Sequence, residues 1–205
     1  MADVALDKQK DSGTSPLDQI IRVPGGAKDA GIFLKECRHT GKLILRGDPN
    51  DELFIKETSK VLGYKLPLIP NTFLQKNDCA SVWLGPDEWL LNSIPGDESL
   101  LENDLNMTLK DVHHSVTDVS DNSTIIQLSG PNARSVIMKG CAVDVHPRVF
   151  NPGDAFQSNL AAASVIMWQL DLIPTFNIMV RASFASYLWK WLLDAGAEFG
   201  VQIQQ

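Results

Sequence analysis

Cysteine, histidine and tyrosine are scarce in this 205-residue chain, at three, four and two residues. Cys37, Cys79 and Cys141 are odd in number and lack paired spacing, which argues against a secreted disulfide framework. Cations are few as well: 18 Lys and Arg face 25 Asp and Glu, a formal charge of −7. That balance argues against general binding of nucleic acid or anionic membrane, which needs clustered Lys and Arg. No apolar run reaches the roughly 18 residues of a membrane-spanning helix. No basic segment followed by an apolar run opens the chain, so no signal peptide is expected and the cytoplasm is the default location.

The familiar chemical motifs are missing too. Gly26 and Gly31 have phosphate-loop spacing, but Ile32-Phe33 follows, without the lysine and hydroxyl that phosphate and magnesium need. No G-x-G-x-x-G and no G-x-S-x-G occurs. Cys37 and His39 lack further ligands nearby, His113 and His114 would point to opposite faces of a strand, and His146 is isolated. Asp87-Glu88 reads as a solvated turn. No catalytic, cofactor-binding or metal site is therefore expected in this chain.

What is present is an ordinary folded composition, with 44% apolar and 21% charged residues. Residues 1–16 are small and polar and read as a disordered tail, and 17–41, rich in Gly and Pro, as loop with a short strand near 20–23. From Lys42 the pattern sharpens. Lys42–Arg46 reads as a strand, and Asp48 and Pro49 as the cap and first position of a helix ending at Gly63. After a Pro-bearing connection, Cys79–Leu84 and Glu88–Ile94 read as strands and Ser99–Leu109 as a helix. The order repeats about 82 residues on: strand Ser123–Leu128, a helix from Ser129-Gly130-Pro131, strands Ala163–Leu170 and Thr175–Arg181, and a helix capped by Ser183. Residues 112–120 read as a linking strand. The expected fold is α+β, with two related β-α-β-β-α halves at 17–120 and 121–205, each closing an antiparallel sheet with helices on one face.

Charge is uneven between the halves. Residues 1–122 hold 13 basic and 20 acidic side chains, whereas 123–205 hold five of each. The last helix is apolar all round. Phe184, Tyr187, Leu188, Trp191, Leu192 and Ala195 form one stripe, with Trp189 and Leu193 nearly opposite. Either both faces are buried within the monomer or the outer face meets another chain, which makes Trp189 and Leu193 candidates for such a contact.

Five ordered blocks carry a family resemblance: Leu45-Arg46-Gly47-Asp48; Leu84-Gly85-Pro86-Asp87-Glu88-Trp89-Leu90-Leu91; Asp118 through Asn122 to Arg134; Gly140 through Val145-His146-Pro147-Arg148-Val149-Phe150; and Val180-Arg181 through Trp189 to Leu192. Together they resemble the gamma subunits of heterotetrameric sarcosine oxidase. The resemblance implies a complex that oxidatively demethylates sarcosine to glycine with oxygen and tetrahydrofolate, giving hydrogen peroxide and methylenetetrahydrofolate. It implies FAD, FMN, NAD, zinc and tetrahydrofolate held by other subunits, alpha as the chief partner with beta and delta, and a non-catalytic, assembling role for this chain. It also implies a fold similar to the folate-binding aminomethyltransferases. Its fourth block adds His146, Arg148 and Phe150 to the candidate interface. The alternative is a free-standing folate-binding or one-carbon-transfer protein, with Asp118, Arg134 and Arg181 as its polar groups. Lys139-Gly140-Cys141 also resembles a motif of folate-binding proteins that support iron–sulfur enzymes, but departs from it after Cys141. A homodimeric module without ligand is a third reading.

Overall fold

A computed structural model describes residues 13–20 and 25–204. Of the tail expected over 1–16, residues 1–12 lie outside the described residues, while Ser15 and the following Leu17 are buried. The strand expected near 20–23 lies outside them apart from Ile20, which sits in a turn.

The elements run β1 Gly25–Gly26, β2 Ile32–Cys37, β3 Gly41–Gly47, α1 Glu52–Leu62, β4 Phe73–Lys76, β5 Cys79–Gly85, β6 Glu88–Ser93, α2 Glu98–Thr108 and β7 His114–Asp118. Then follow β8 Ser123–Ser129, α3 Ala133–Met138, β9 Ala155–Leu160, β10 Ala163–Gln169, β11 Thr175–Arg181, α4 Ala182–Gly196 and β12 Val201–Ile203. One sheet has the order β4-β5-β6-β3-β7 and the other β9-β10-β11-β8-β2-β12-β1. All described pairings are antiparallel except β12 with β2. The α+β class and the antiparallel sheets are as the sequence indicates.

The internal repeat is visible in strand order. β4-β5-β6-β3 in one sheet corresponds to β9-β10-β11-β8 in the other, and β3 and β8 start 82 residues apart, at Gly41 and Ser123. The strand ahead of each unit crosses over. β2 precedes β3 but pairs with β8, from Phe33 with Ser129 to Cys37 with Ile125. β7 precedes β8 but pairs with β3, from Leu43 with Asp118 to Gly47 with His114. A division at 120/121 therefore separates the two sheets except at β1 and β2, which belong to the second. The halves exchange one strand each.

Alternation along the strands makes four layers. Leu43, Leu45, Trp89 and Leu91 face α1 and α2 in one core. Ile126, Leu128, Met167, Phe176 and Ile178 face α3 and α4 in a larger one. The opposite faces of the two sheets meet through Val82, Leu90, Ile125, Ala155 and Trp168. Each such Val, Leu, Ile, Phe or Met side chain, fully buried, contributes about 1.5–3 kcal/mol.

Three local expectations need correction. α1 is capped by Asp51, whose Oδ1 accepts from the Leu53 and Phe54 amides at 2.8 and 3.4 Å. Asp48 instead accepts from Asn50 N at 2.8 Å, making a turn ahead of the helix. Gly63 closes α1 in the left-handed region at φ 74°, as expected. Ser183 is not a cap: α4 follows β11 directly, and Arg181 occupies the cap position without a side-chain bond. Finally, β2, β4 and β9 stand where loop or irregular chain was expected.

Candidate functional site

The candidate interface residues separate into surface and core. Trp189 is 0% exposed and packs under the larger sheet with Ala185, Leu188 and Leu192, so it is corrected from interface to core. Leu193 is half-buried against the same core. Phe150 is also buried, edge-on to Phe156 at 5.2 Å and stacked on Phe176 at 6.3 Å, and is corrected likewise. His146 and Arg148 are exposed on one turn, where His146 Nδ1 accepts from Arg148 N at 3.1 Å. The expected stripe of α4 is split: Leu188, Leu192 and Ala195 are buried, whereas its first members lie on the outer face. Phe184 and Tyr187 are 43% and 41% exposed, with their rings perpendicular at 6.5 Å. Trp191 covers Gly140, where any Cβ would collide with the indole.

A second apolar surface lies at one end of the sandwich. Backbone bonds tie three loops together there: Phe73 N donates to Gly153 O, Ala155 N to Asn71 O, and Gly153 N to Gln169 O. These loops leave Leu68, Ile69, Val149, Leu172 and Ile173 exposed, Leu172 by 82%. His146 and Arg148 belong to the same loop group. Clustered exposed aliphatic side chains make this a candidate contact surface.

Asp118, Arg134 and Arg181 do not converge. Arg134 reaches from α3 to Gln169 Oε1 at 2.8 Å and to Val145 O, and lies 5.4 Å from the Phe176 ring centre. Arg181 ends β11, whose other end, Thr175, pairs with Ser129. At about 3.3 Å per residue the strand holds the two arginines roughly 20 Å apart. Asp118 is occupied in the turn, accepting from Ser120 N at 2.8 Å and Ser120 Oγ at 2.5 Å.

Sequence reasoning missed two polar sites between the sheets. In the first, Lys42 is buried and donates to Thr40 O at 2.5 Å and Ser120 O at 3.1 Å, fastening β3 to the turn that leads into β8. Burial lowers its pKa, against the opposing pull of Asp118, Asp121 and Glu98. On the other, helix-facing side of the larger sheet, Glu36 of β2 accepts from Ser15 Oγ and from Thr124 Oγ1 at 2.8 Å, and pairs with Arg38 Nε at 3.4 Å. The second is a neighbouring cleft of about 590 Å³ in the inter-sheet space. Its larger-sheet wall is ordered by strand register. Ile125, Met179, Ile166 and Gln157 form one row across β8, β11, β10 and β9. One step outward the row becomes polar: Ser123, Arg181, Ser164 and Asn159. Ile44, Leu84 and Glu88 form the facing wall. The readable signal was polar residues in phase with an apolar row.

Among the described residues no group of three or more His, Cys, Asp and Glu is arranged to hold a metal ion. No helix among them is long and apolar enough to cross a membrane.

Comparison with known proteins places this architecture. Residues 46–198 match the model of the "Sarcosine oxidase, gamma subunit family". The sarcosine oxidase subunit gamma of Corynebacterium sp. (strain P-1) is 39% identical over 201 residues, covering 97% of each chain. That of Arthrobacter sp. is 36% identical over 201 residues, again covering 97% of each. A chain of the heterotetrameric sarcosine oxidase from Corynebacterium sp. U-96, solved in complex with pyrrole 2-carboxylate, superposes with a TM-score of 0.81 at 31% identity, covering 91% of this chain and 96% of that one. The glycine cleavage system aminomethyltransferase T from Bartonella henselae shares the fold, with a TM-score of 0.65 at 15% identity, covering 86% of this chain and 48% of that one. Conserved length, sequence and architecture agree, and the chain belongs to the sarcosine oxidase gamma subunit family, as a subunit of an oxidoreductase.

Proposed function

We propose that this chain is the non-catalytic gamma subunit of a heterotetrameric sarcosine oxidase, and that its role is to assemble and stabilise that enzyme in the cytoplasm. The observation that carries the reading is the full-length match, 39% identity over 97% of both chains, to a protein named as this subunit. The complex oxidatively demethylates sarcosine to glycine, with oxygen and tetrahydrofolate giving hydrogen peroxide and methylenetetrahydrofolate. The flavins, NAD, zinc and folate belong to the other subunits. The alpha subunit is the chief partner. The exposed aliphatic loops with His146 and Arg148, and the Phe184–Tyr187 face of α4, are the contact surfaces that support this reading.

Co-expression of the tagged chain with alpha, beta and delta subunits tests it. The expected result is one large species on size exclusion, with flavin absorbance and peroxide production from sarcosine. Elution of the chain alone, colourless and without partners, overturns the reading. Within the complex, Arg148→Glu and Leu172→Asp weaken assembly while leaving the chain folded.

A further inference from the structure

We infer that the cleft between the two sheets is a binding site for a small zwitterionic amino acid. Four observations carry this. First, Arg181 is exposed at the cleft and its side chain, among the described residues, has no ion pair or hydrogen bond, so its guanidinium is free to donate a fork of hydrogen bonds to a carboxylate. Second, its cross-strand neighbour Ser123 is only 7% exposed, yet its hydroxyl has no hydrogen-bond partner. Buried hydroxyls are nearly always paired, and an unpaired one at a cleft asks for a ligand or water atom. Third, α4 starts immediately after Arg181, with no acidic residue in its first turn and no side-chain cap. Its free amides add positive potential beside the same two side chains. Fourth, the opposite wall carries Glu88, with Arg46 across the strand pair and paired to Asp87 at 2.7 Å.

The charges decide the ligand class. A simple anion would meet Glu88, and a simple cation would meet Arg181. A molecule with both ends satisfies both walls: its carboxylate on Arg181 and Ser123 Oγ, its ammonium or N-alkyl ammonium toward Glu88. Apolar lining such as Ile44, Ile166 and Met179 suits a short aliphatic body, and no aromatic side chain lines the cleft. Glycine and N-methylglycine are the smallest members of this class, and the proposed enzyme produces one and consumes the other. The site would let the assembling subunit sense their concentration.

The test is titration of the ¹⁵N-labelled full-length chain with glycine and with N-methylglycine, followed by amide shifts, with acetate and methylamine as single-charge controls. Saturable shifts at Ser123, Arg181 and the first turn of α4 are expected with both amino acids, and much weaker responses with either control. Arg181→Ala removes a charge-assisted pair and weakens binding by about tenfold or more, and Glu88→Gln weakens the amino acids but not acetate. Arg181 is exposed, so circular dichroism should report an unchanged fold. Three outcomes overturn the inference: no saturable shift, shifts that Arg181→Ala leaves intact, or acetate binding as tightly as glycine. Assembly with the larger subunits is read separately, so failure here and failure of the subunit role are told apart.

Discussion

The two halves of the molecule share a strand order but are not equally self-sufficient. Residues 38–119 contain every strand of the five-stranded sheet, together with α1 and α2. Residues 121–205 lack β2, which runs between β8 and β12 and supplies Ile32 and Leu34 to the larger core. The first unit thus received its extra strand from the connection between the halves, and the second received its own from the start of the chain. An approximate repeat in sequence is therefore not a pair of modules: each unit borrows the strand that precedes the other.

Cutting the chain gives the largest expected effect on that contrast. A fragment of 38–119 should show cooperative thermal unfolding by circular dichroism, although its inter-sheet face is bare. A fragment of 121–205 should stay unfolded until a fragment supplying β2 is added. If 121–205 folds alone, the exchange is decorative.

Next come the tryptophans at the two outer cores. Trp89 and Trp189 are both fully buried, and truncation to Ala should cost about 3–5 kcal/mol in either half, read from denaturant midpoints. Trp89→Phe sharpens the comparison. Trp89 Nε1 donates to Pro67 O at 2.8 Å, so this variant should lose a further bond worth about 1 kcal/mol. Trp189→Phe loses no bond of that kind. Substitutions on the outer face of α4 are smaller still. Phe184→Ser should change monomer stability by at most about 0.5 kcal/mol, while reducing recovery of the assembled complex.

The smallest effects lie at alkaline pH and belong to the first half. Burial raises the Tyr64 pKa well above its ordinary 10.0, and its hydroxyl lies 2.8 Å from Ser81 Oγ. The unfolded chain therefore loses that proton first, and stability present below pH 10 falls as pH rises beyond it. Lys42 has the opposite sign. Its folded pKa lies below the unfolded 10.5, so the unfolded chain holds the proton more tightly. Its burial cost is present in full at lower pH and is relieved as pH climbs through the window below 10.5. Tyr64→Phe should flatten the alkaline fall, and Lys42→Met should steepen it, in melts taken from pH 8 to 11.

Much of this fold was legible. Strands β3, β5, β6, β8, β10 and β11 carry strong apolar runs, and their bounds fall within a residue or two of expectation. β4 and β9 were hidden because they are edge strands with polar faces, Phe-Leu-Gln-Lys and Ala-Phe-Gln-Ser-Asn-Leu. β2 alternates Ile32, Leu34 and Glu36 inward, but its signal is interrupted by a buried carboxylate and flanked by glycines. For α4 the difficulty was physical. Trp189 and Trp191 are both large and apolar, and periodicity cannot say which points inward. Small residues decide it: Ala185 and Gly196 let the helix approach the sheet, with Gly196 against Ile32. The interface residues were harder again, because exposure of Leu172 or burial of Phe150 depends on how distant loops are tied. The cleft needed strand register, which a sequence repeat alone does not supply.

The crossing strands also set a clock. Phe33 is made long before Ser129, the residue it must pair with. At translation rates of about 5–20 residues per second, β2 leaves the ribosome roughly 5–20 s ahead of its partner strand. During that wait the nascent chain carries an apolar strand with no ladder to join, next to a first sheet that can already close. Nearest-neighbour pairing of β2 with β3 is then the competing error, and the arrival of β8 is the step that commits β2 to its place in the fold.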